Sequence, residues 1–522
     1  MANGLLPEPA MPEVSLNTRH SLLVVSNREP YLHARMSDGS VTVQPTTGGL
    51  SVALDALMRA RGGTWVAAGT GNADKDVVDS QDRIAVPVEE PAYALRRIWL
   101  SQDEERRYYN GFSNEGLWPL AHTVHVRPRF RSEDWAAYQR VNQRFAAAVA
   151  EELVEPDESV FIQDYHLALV AGELRRLEPR ARTAFFWHIP WPHPDRLRIC
   201  PWRQELMKGL LANDVVAFQL EHDRRNFLLS VRDELDAAVD HGVVEFDGHA
   251  TRVIAAPIGV DFDRIDRIAR DPGLQAEVAD LFREERLDDP AIEVIGVSVD
   301  RIDYTKGILE RLDAIDRLLT RRPELRSTLA FVQVGVPSRS TVRSYAALEQ
   351  RVDARVAEIN TRHGKGPALG PVRYRKRALK LRPLVALYRL ADFCVVSSLH
   401  DGMNLVAKEF VAAREDLGGV LVLSEMAGAA QELTDAVLMN PYHVDGFAHA
   451  LEDAIGMSPM ERTLRMRALR RVVSERNIFR WATHILDHLE TPSQDNLEVW
   501  RNLADGPAVI RRVAESASNV RG

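Results

Sequence analysis

Residues 400–410, HDGMNLVAKEF, set an acid, a glycine and an asparagine just ahead of a helix-forming run that carries Glu409 one turn in. The first N–H groups of a helix lack internal partners and sit at the positive end of its dipole, so such a loop can hold a diphosphate. Glu409 is placed to accept hydrogen bonds from ribose hydroxyls. A second loop, Arg301-Ile-Asp-Tyr-Thr-Lys306-Gly307, puts an arginine and a lysine five residues apart, a pairing suited to clamping a diphosphate leaving group. The competing reading is a structural ion pair between Arg301 and Asp303. Gly307 favours the clamp, because a glycine at the start of the next helix lets the backbone approach a ligand closely.

These loops need strands to end on. Apolar runs at residues 21–26, 63–68, 159–163, 184–187 and 215–218 alternate with helical patterns at 135–152, 167–177 and 202–211. After residues 257–260 a second series begins, with strands at 293–299, 328–334, 371–374, 393–396 and 420–423. Helical patterns at 308–319, 341–360, 383–390 and 406–413 separate these strands. The alternation predicts an α/β fold of two doubly wound, Rossmann-like domains, 21–260 and 261–489, facing a central cleft. Segment 1–20 is expected to be disordered and 490–522 to be a loose tail.

Ligands of open parallel sheets bind beyond the strand C-terminal ends. Arg28, Asp164, His188, Arg301 with Lys306, Arg339 and Asp401 all fall there. One such residue alone reads as solvation or capping; their joint placement reads as a site. Gly48-Gly49-Leu50 is a weak phosphate signal at a helix start. Trp65, Tyr108, Tyr109 and Trp118 taken singly read as core, Cys200 and Cys394 as buried thiols, and the basic run Arg373–Arg382 as a solvated edge that steers anions.

At 522 residues the chain needs two or three domains, and its 45% hydrophobic and 27% charged content is that of an ordinary globular protein. A net charge of −9 argues against nucleic-acid or membrane-surface binding. Two cysteines without ligand spacing argue for a reducing cytoplasm. The first twenty residues lack the apolar core of a signal peptide, and no apolar run is long enough to span a bilayer. There is no Walker loop, HExxH pair or Gly-x-Ser-x-Gly elbow, so metal-dependent hydrolysis and serine chemistry have no support; with Arg301 and Lys306 supplying positive charge, no metal and no cofactor is expected.

The ordered blocks VSNRE, GGL, YYNGFSNEGLWPL, QDYHL, FFWHIPWP, PIGVD, VDRIDYTKG, VPSR, DGMNLVAKEF and LSEMAGAAQEL resemble the trehalose-6-phosphate synthases, retaining glycosyltransferases of GT-B fold, from about residue 22 to 489. The resemblance implies a nucleotide-glucose donor, UDP-glucose foremost, and glucose 6-phosphate as acceptor. Arg301 and Lys306 would hold the donor diphosphate. Asp401, Met403, Asn404, Leu405 and Val406 would line the donor, with Glu409 on the ribose and Gly49 beside the diphosphate. His188 would contact the transferred glucose, and Asp164 the acceptor sugar. Arg28 and Arg339 would grip the acceptor phosphate, with Tyr109 and Trp118 walling that pocket.

Two positions depart from the family pattern. Ala68 stands where a tryptophan is usual, which removes an acceptor-side wall, and His400 stands where arginine is common. The start NREPY also resembles glucosylglycerol-phosphate synthases, which makes glycerol 3-phosphate the alternative acceptor. A non-catalytic nucleotide-sugar sensor is the alternative of another class; Arg301, Lys306, Asp401 and Glu409 weigh against it. The donor base, among uracil, guanine and adenine, stays open, as does a homo-oligomer.

Overall fold

The computed structural model describes residues 22–46, 49–155, 158–339, 342–364 and 370–490. Segment 1–20, expected to be disordered, and Gly48 lie outside the described residues, as does the expected tail 490–522 apart from Glu490, which ends a helix and pairs with Arg61.

Two sheets carry the molecule. The first has ten strands, with Leu22–Arg28 near its middle. From that strand the chain moves one way, parallel to Gly63–Ala68 and then Tyr93–Ile98. It then returns to the other side of Leu22–Arg28 and adds Ser159–Gln163, Arg182–Trp187, Val215–Phe218 and His249–Ala255, all parallel. Antiparallel strands finish both edges. The reversal of strand order opens a crevice between the C-terminal ends of Leu22–Arg28 and Ser159–Gln163.

The second sheet has six strands, all parallel, in the order Val372–Arg375, Leu329–Val336, Val294–Arg301, Phe393–Val396, Val420–Ser424, Val437–Met439. Its reversal lies between Val294–Arg301 and Phe393–Val396, so the loops from Arg301 and from Ser397 leave side by side. The strands read as unbroken apolar runs because both faces are covered, and Leu421 to Leu423 and Val395 are at most 1% exposed.

The link between the sheets is clasped rather than free. Buried Lys408 donates to Ile258 O at 2.6 Å and to Glu432 at 2.5 Å, and Arg476 reaches the same carboxyl group at 2.8 Å. The last described helix, Ile478–Glu490, returns to the first sheet, where Trp481 packs on Phe161 and Phe186 with ring centroids 5.4 and 4.9 Å apart. Residues 478–489, expected with the second domain, therefore bury their apolar face on the first.

Two features of the first half were not legible in the sequence pattern. Tyr31–Arg35 and Val41–Pro45 form a separate hairpin. Glu105–Leu117 winds as a π-helix, closed by Trp118 N–H donating to Ser113 O, a form concentrated at functional sites. The basic run Arg373–Arg382 is exposed at 376–378 and 380, as a solvated edge should be, but most of its charge is not free to steer anions. Arg375 pairs with Glu284 and Glu285, Arg377 with Glu284, Arg382 with Asp271 and Glu277, and Lys376 with Glu349 and Asp353, so most of its charge is neutralised locally.

Candidate functional site

The two crevices face one another. On the first side, adjacent tyrosines of the π-helix hold adjacent residues of the central strand: Tyr108 donates to Asn27 Oδ1 at 2.9 Å, and Arg28 donates to Tyr109 Oη at 3.0 Å. Burial raises the Tyr109 pKa, but the Arg28, Arg339 and Arg301 guanidiniums outweigh it and bring it down to about 7. Three cations from three strand ends thus converge on one phenol. Arg339 lies over the Trp118 ring at 4.4 Å and Arg301 over the same ring at 5.7 Å. Trp118 Nε1 is buried without a partner in the protein.

Asp164 and His188 close the floor. Asp164 Oδ1 accepts from Tyr165 N–H at 2.9 Å and from His188 N–H at 3.3 Å. Burial lifts its carboxyl to about 7 against those bonds and the pull of Arg339 and Arg301. The His188 Nε2 and Gln163 Oε1 atoms are 2.9 Å apart, and burial holds the ring's pKa at about 3, so it is neutral. In the tautomer that donates Nε2–H to Gln163, Nδ1 is left as an acceptor for a sugar hydroxyl.

On the second side, Lys306 Nζ donates to Asp401 Oδ2 at 2.5 Å. Ser398 Oγ and Asn404 Nδ2 donate to the same oxygen at 3.0 and 3.2 Å. Burial would raise the Asp401 pKa, yet Lys306 and Asn404 are among the groups that bring it down to about 2. Asn404 caps the helix Leu405–Ala413, accepting from Ala407 N–H at 3.3 Å. Met403 is buried, and Leu405 and Val406 are half-buried at that helix start. Glu409, lifted to about 7 by burial, accepts from Tyr388 Oη at 3.4 Å. Gly49 opens the helix Gly49–Arg61.

The two sides touch where glycine is required. A Cβ at Gly402 would lie 2.4 Å from His188 O, a backbone atom that cannot swing away. Gly402→Ala is expected to push the 400–404 loop off the first half and cut turnover about tenfold at unchanged fold. Steady-state rates alongside circular dichroism check this.

Three of the residues named from the sequence hold positive φ without being glycine: Asp164 at 76°, Arg339 at 50° and Asn404 at 90°. Such strain persists only where surrounding contacts impose it, and it gathers at functional sites. Asp303 does not pair with Arg301. It meets Arg339 at 3.3 Å, beside Tyr345 Oη, to which Arg339 donates at 2.6 Å. Asp303 and Tyr345 therefore belong to the site as supports, and sequence reading missed them in that role. His166 was missed as well; it stacks on Tyr109 with centroids 5.4 Å apart and leaves Nε2 buried and unpartnered. Its signal was its place in QDYHL. Ala68 pairs with Arg28 at the strand end and is 2% exposed, so it leaves no open gap at its own side chain.

Two doubly wound sheets with cationic crevices face to face make this a GT-B glycosyltransferase. The chain belongs to glycosyltransferase family 20, which residues 20–491 match. It is 40% identical to the trehalose-6-phosphate synthase of Mycobacterium avium, over 90% of this chain and 94% of that one. The relative from Mycolicibacterium gilvum is 39% identical over 93% and 97%. Among solved structures, the Burkholderia xenovorans alpha,alpha-trehalose-phosphate synthase (UDP-forming) in complex with glucose-6-phosphate superposes with a TM-score of 0.78 at 32% identity, covering 90% of this chain and all of that one. The E. coli trehalose-6-phosphate structure bound with UDP-2-fluoro glucose gives 0.79 at 32% identity, covering 90% and 99%. Among the described residues no helix is long and apolar enough to cross a membrane, and no cluster of His, Cys, Asp and Glu could hold a metal ion.

Proposed function

We propose that this glycosyltransferase moves glucose from UDP-glucose to glucose 6-phosphate, with retention, giving trehalose 6-phosphate and UDP. The observation that carries this is the convergence of Arg28, Arg301 and Arg339 on Tyr109 and Trp118, opposite the Lys306–Asp401–Asn404 loop. One side suits a phosphorylated sugar and the other a nucleotide diphosphate. The relatives and the ligands bound in the two solved structures support the same assignment. The span 21–260 is the acceptor domain, and 261–489 the donor domain. Two free, buried thiols fit a cytoplasmic setting.

Arg28, Arg339 and Tyr109 bind the acceptor phosphate, Trp118 walls the sugar, and Asp164 accepts from its hydroxyls. Arg301 and Lys306 meet the donor diphosphate. Lys306 divides its hydrogens between Asp401 and a phosphate oxygen, so Asp401 aims the ammonium group as well as lining the glucose. Met403, Leu405, Val406 and Gly49 line the donor, His188 accepts from a glucose hydroxyl, and Glu409 takes the ribose. As the anomeric C–O bond breaks, charge grows on the diphosphate. Arg301 and Lys306 stabilise it there, and the departing oxygen accepts the proton of the acceptor hydroxyl on the same face.

Tyr109 gives the acceptor side a pH dependence. Below about pH 7 the phenol is neutral and donates to the phosphate. Above it, the phenolate occupies the arginines and repels a dianion, so KM for glucose 6-phosphate is expected to rise. Tyr109→Phe should raise KM at pH 6 and abolish the further rise at pH 8, read from rate profiles at fixed UDP-glucose.

The test of the function is a matrix of UDP-, GDP- and ADP-glucose against glucose 6-phosphate and glycerol 3-phosphate, reading nucleoside diphosphate release. UDP-glucose with glucose 6-phosphate is expected to lead. Preference for glycerol 3-phosphate overturns the acceptor assignment.

A further inference from the structure

A polar contact crosses the cleft beside the donor loop. His400, immediately before Asp401, accepts from the Thr123 backbone N–H through Nδ1 at 3.0 Å, and Thr123 Oγ1 lies 3.2 Å from the same nitrogen. Thr123 ends the short segment that starts with Trp118. Arg196 fixes that segment on its own half, donating to Leu120 O at 2.6 Å, Pro119 O at 2.6 Å and His122 O at 3.0 Å. The His122 ring fills the space between, 4.2 Å from the Trp118 ring and 5.9 Å from His400 by centroids. The acceptor wall is thus held from behind by an arginine and from across the cleft by a histidine of the donor loop.

We propose that His400 is a positioning residue that couples donor occupancy to placement of the acceptor wall. The inference rests on the reading above, in which donor and phosphorylated acceptor occupy opposite sides of the cleft. A nucleotide that orders residues 400–404 fixes His400, and through Thr123 it fixes Trp118. The bond joins two halves, so it exists only where they stand at this separation. Burial lowers the ring's pKa below its ordinary value; Asp401 opposes this, and His222 and Arg196 add to it. The ring therefore keeps the lone pair that the bond needs.

Coupling of this kind is reciprocal and measurable. Calorimetry on the full chain gives UDP affinity alone and glucose 6-phosphate affinity with and without UDP; rates give KM and kcat. In His400→Ala the gain in acceptor affinity caused by UDP is expected to fall about tenfold, the worth of one well-placed hydrogen bond. Acceptor KM should rise to match, while UDP affinity alone falls by less than the gain does. His400→Asn, whose amide oxygen can accept from Thr123, should restore most of the gain. Three results overturn the proposal: a full gain in His400→Ala, an equal loss of UDP affinity alone, which makes His400 a packing group of the donor loop, or no rescue by asparagine. Wild-type protein that releases UDP without regard to glucose 6-phosphate overturns the functional reading itself, and that outcome is seen without any variant.

Discussion

Arg301→Ala is expected to lower turnover about 100- to 1000-fold, the usual cost of removing a charge-stabilising group from a reacting oxygen. Stability should change by no more than about 0.5 kcal/mol. The separation of the two effects follows from how the side chain is held. Arg301 ends the strand Val294–Arg301 and lies over Trp118, with no carboxylate ion-pair partner among the described residues. Its removal leaves no buried acid uncompensated. Lys306 differs, because its loss would strand Asp401, whose ionised form it stabilises. Arg301→Lys should fall between wild type and alanine, since an ammonium group keeps the charge and loses the planar fork. Near-normal turnover in Arg301→Ala contradicts the clamp.

Arg311→Ala should do the reverse and cost about 3–5 kcal/mol of stability, the range for breaking a buried ion pair from one side. Arg311 is fully buried behind the donor loop. It donates to Asp300 Oδ2 at 2.7 Å, Gln333 Oε1 at 2.7 Å, Ser397 Oγ at 2.7 Å and Lys306 O at 3.3 Å. It therefore ties together the two loops that leave the strand-order reversal of the second sheet. Without it, Asp300, whose carboxyl burial already pushes up, has no guanidinium beside it. Urea unfolding measures the loss, and a cost below about 1 kcal/mol contradicts the account. Replacing Arg311 and Asp300 together by apolar residues of similar volume should recover much of it.

The strands and the residues at their ends were legible because buried parallel strands are continuous apolar runs and polar residues must wait for the ends. That placed Arg28, Asp164, His188, Arg301 and Asp401 before any geometry was known. The partners were not legible. Asp303 is two residues from Arg301 and was weighed only as a competing ion-pair partner for it; the structure instead turns the Arg339 guanidinium, at a positive φ, onto Asp303 and Tyr345. Such a φ leaves no trace in composition or periodicity. The π-helix itself was not legible, although Tyr108 read as core, where it lies, and Tyr109 was placed at the acceptor only through the family resemblance. The basic run Arg373–Arg382 was read as a solvated edge, but the pairing of its charges was not legible, because the acids Asp271, Glu277, Glu284 and Glu285 lie about 100 residues earlier.

Proton NMR of the reaction of purified protein with UDP-glucose and glucose 6-phosphate is the most direct test of the central claim. The account predicts a doubly α-linked, non-reducing disaccharide phosphate formed in equal amount to UDP, and neither without glucose 6-phosphate. A β-linked product, or UDP release accompanied by free glucose at the same rate with and without the acceptor, contradicts it.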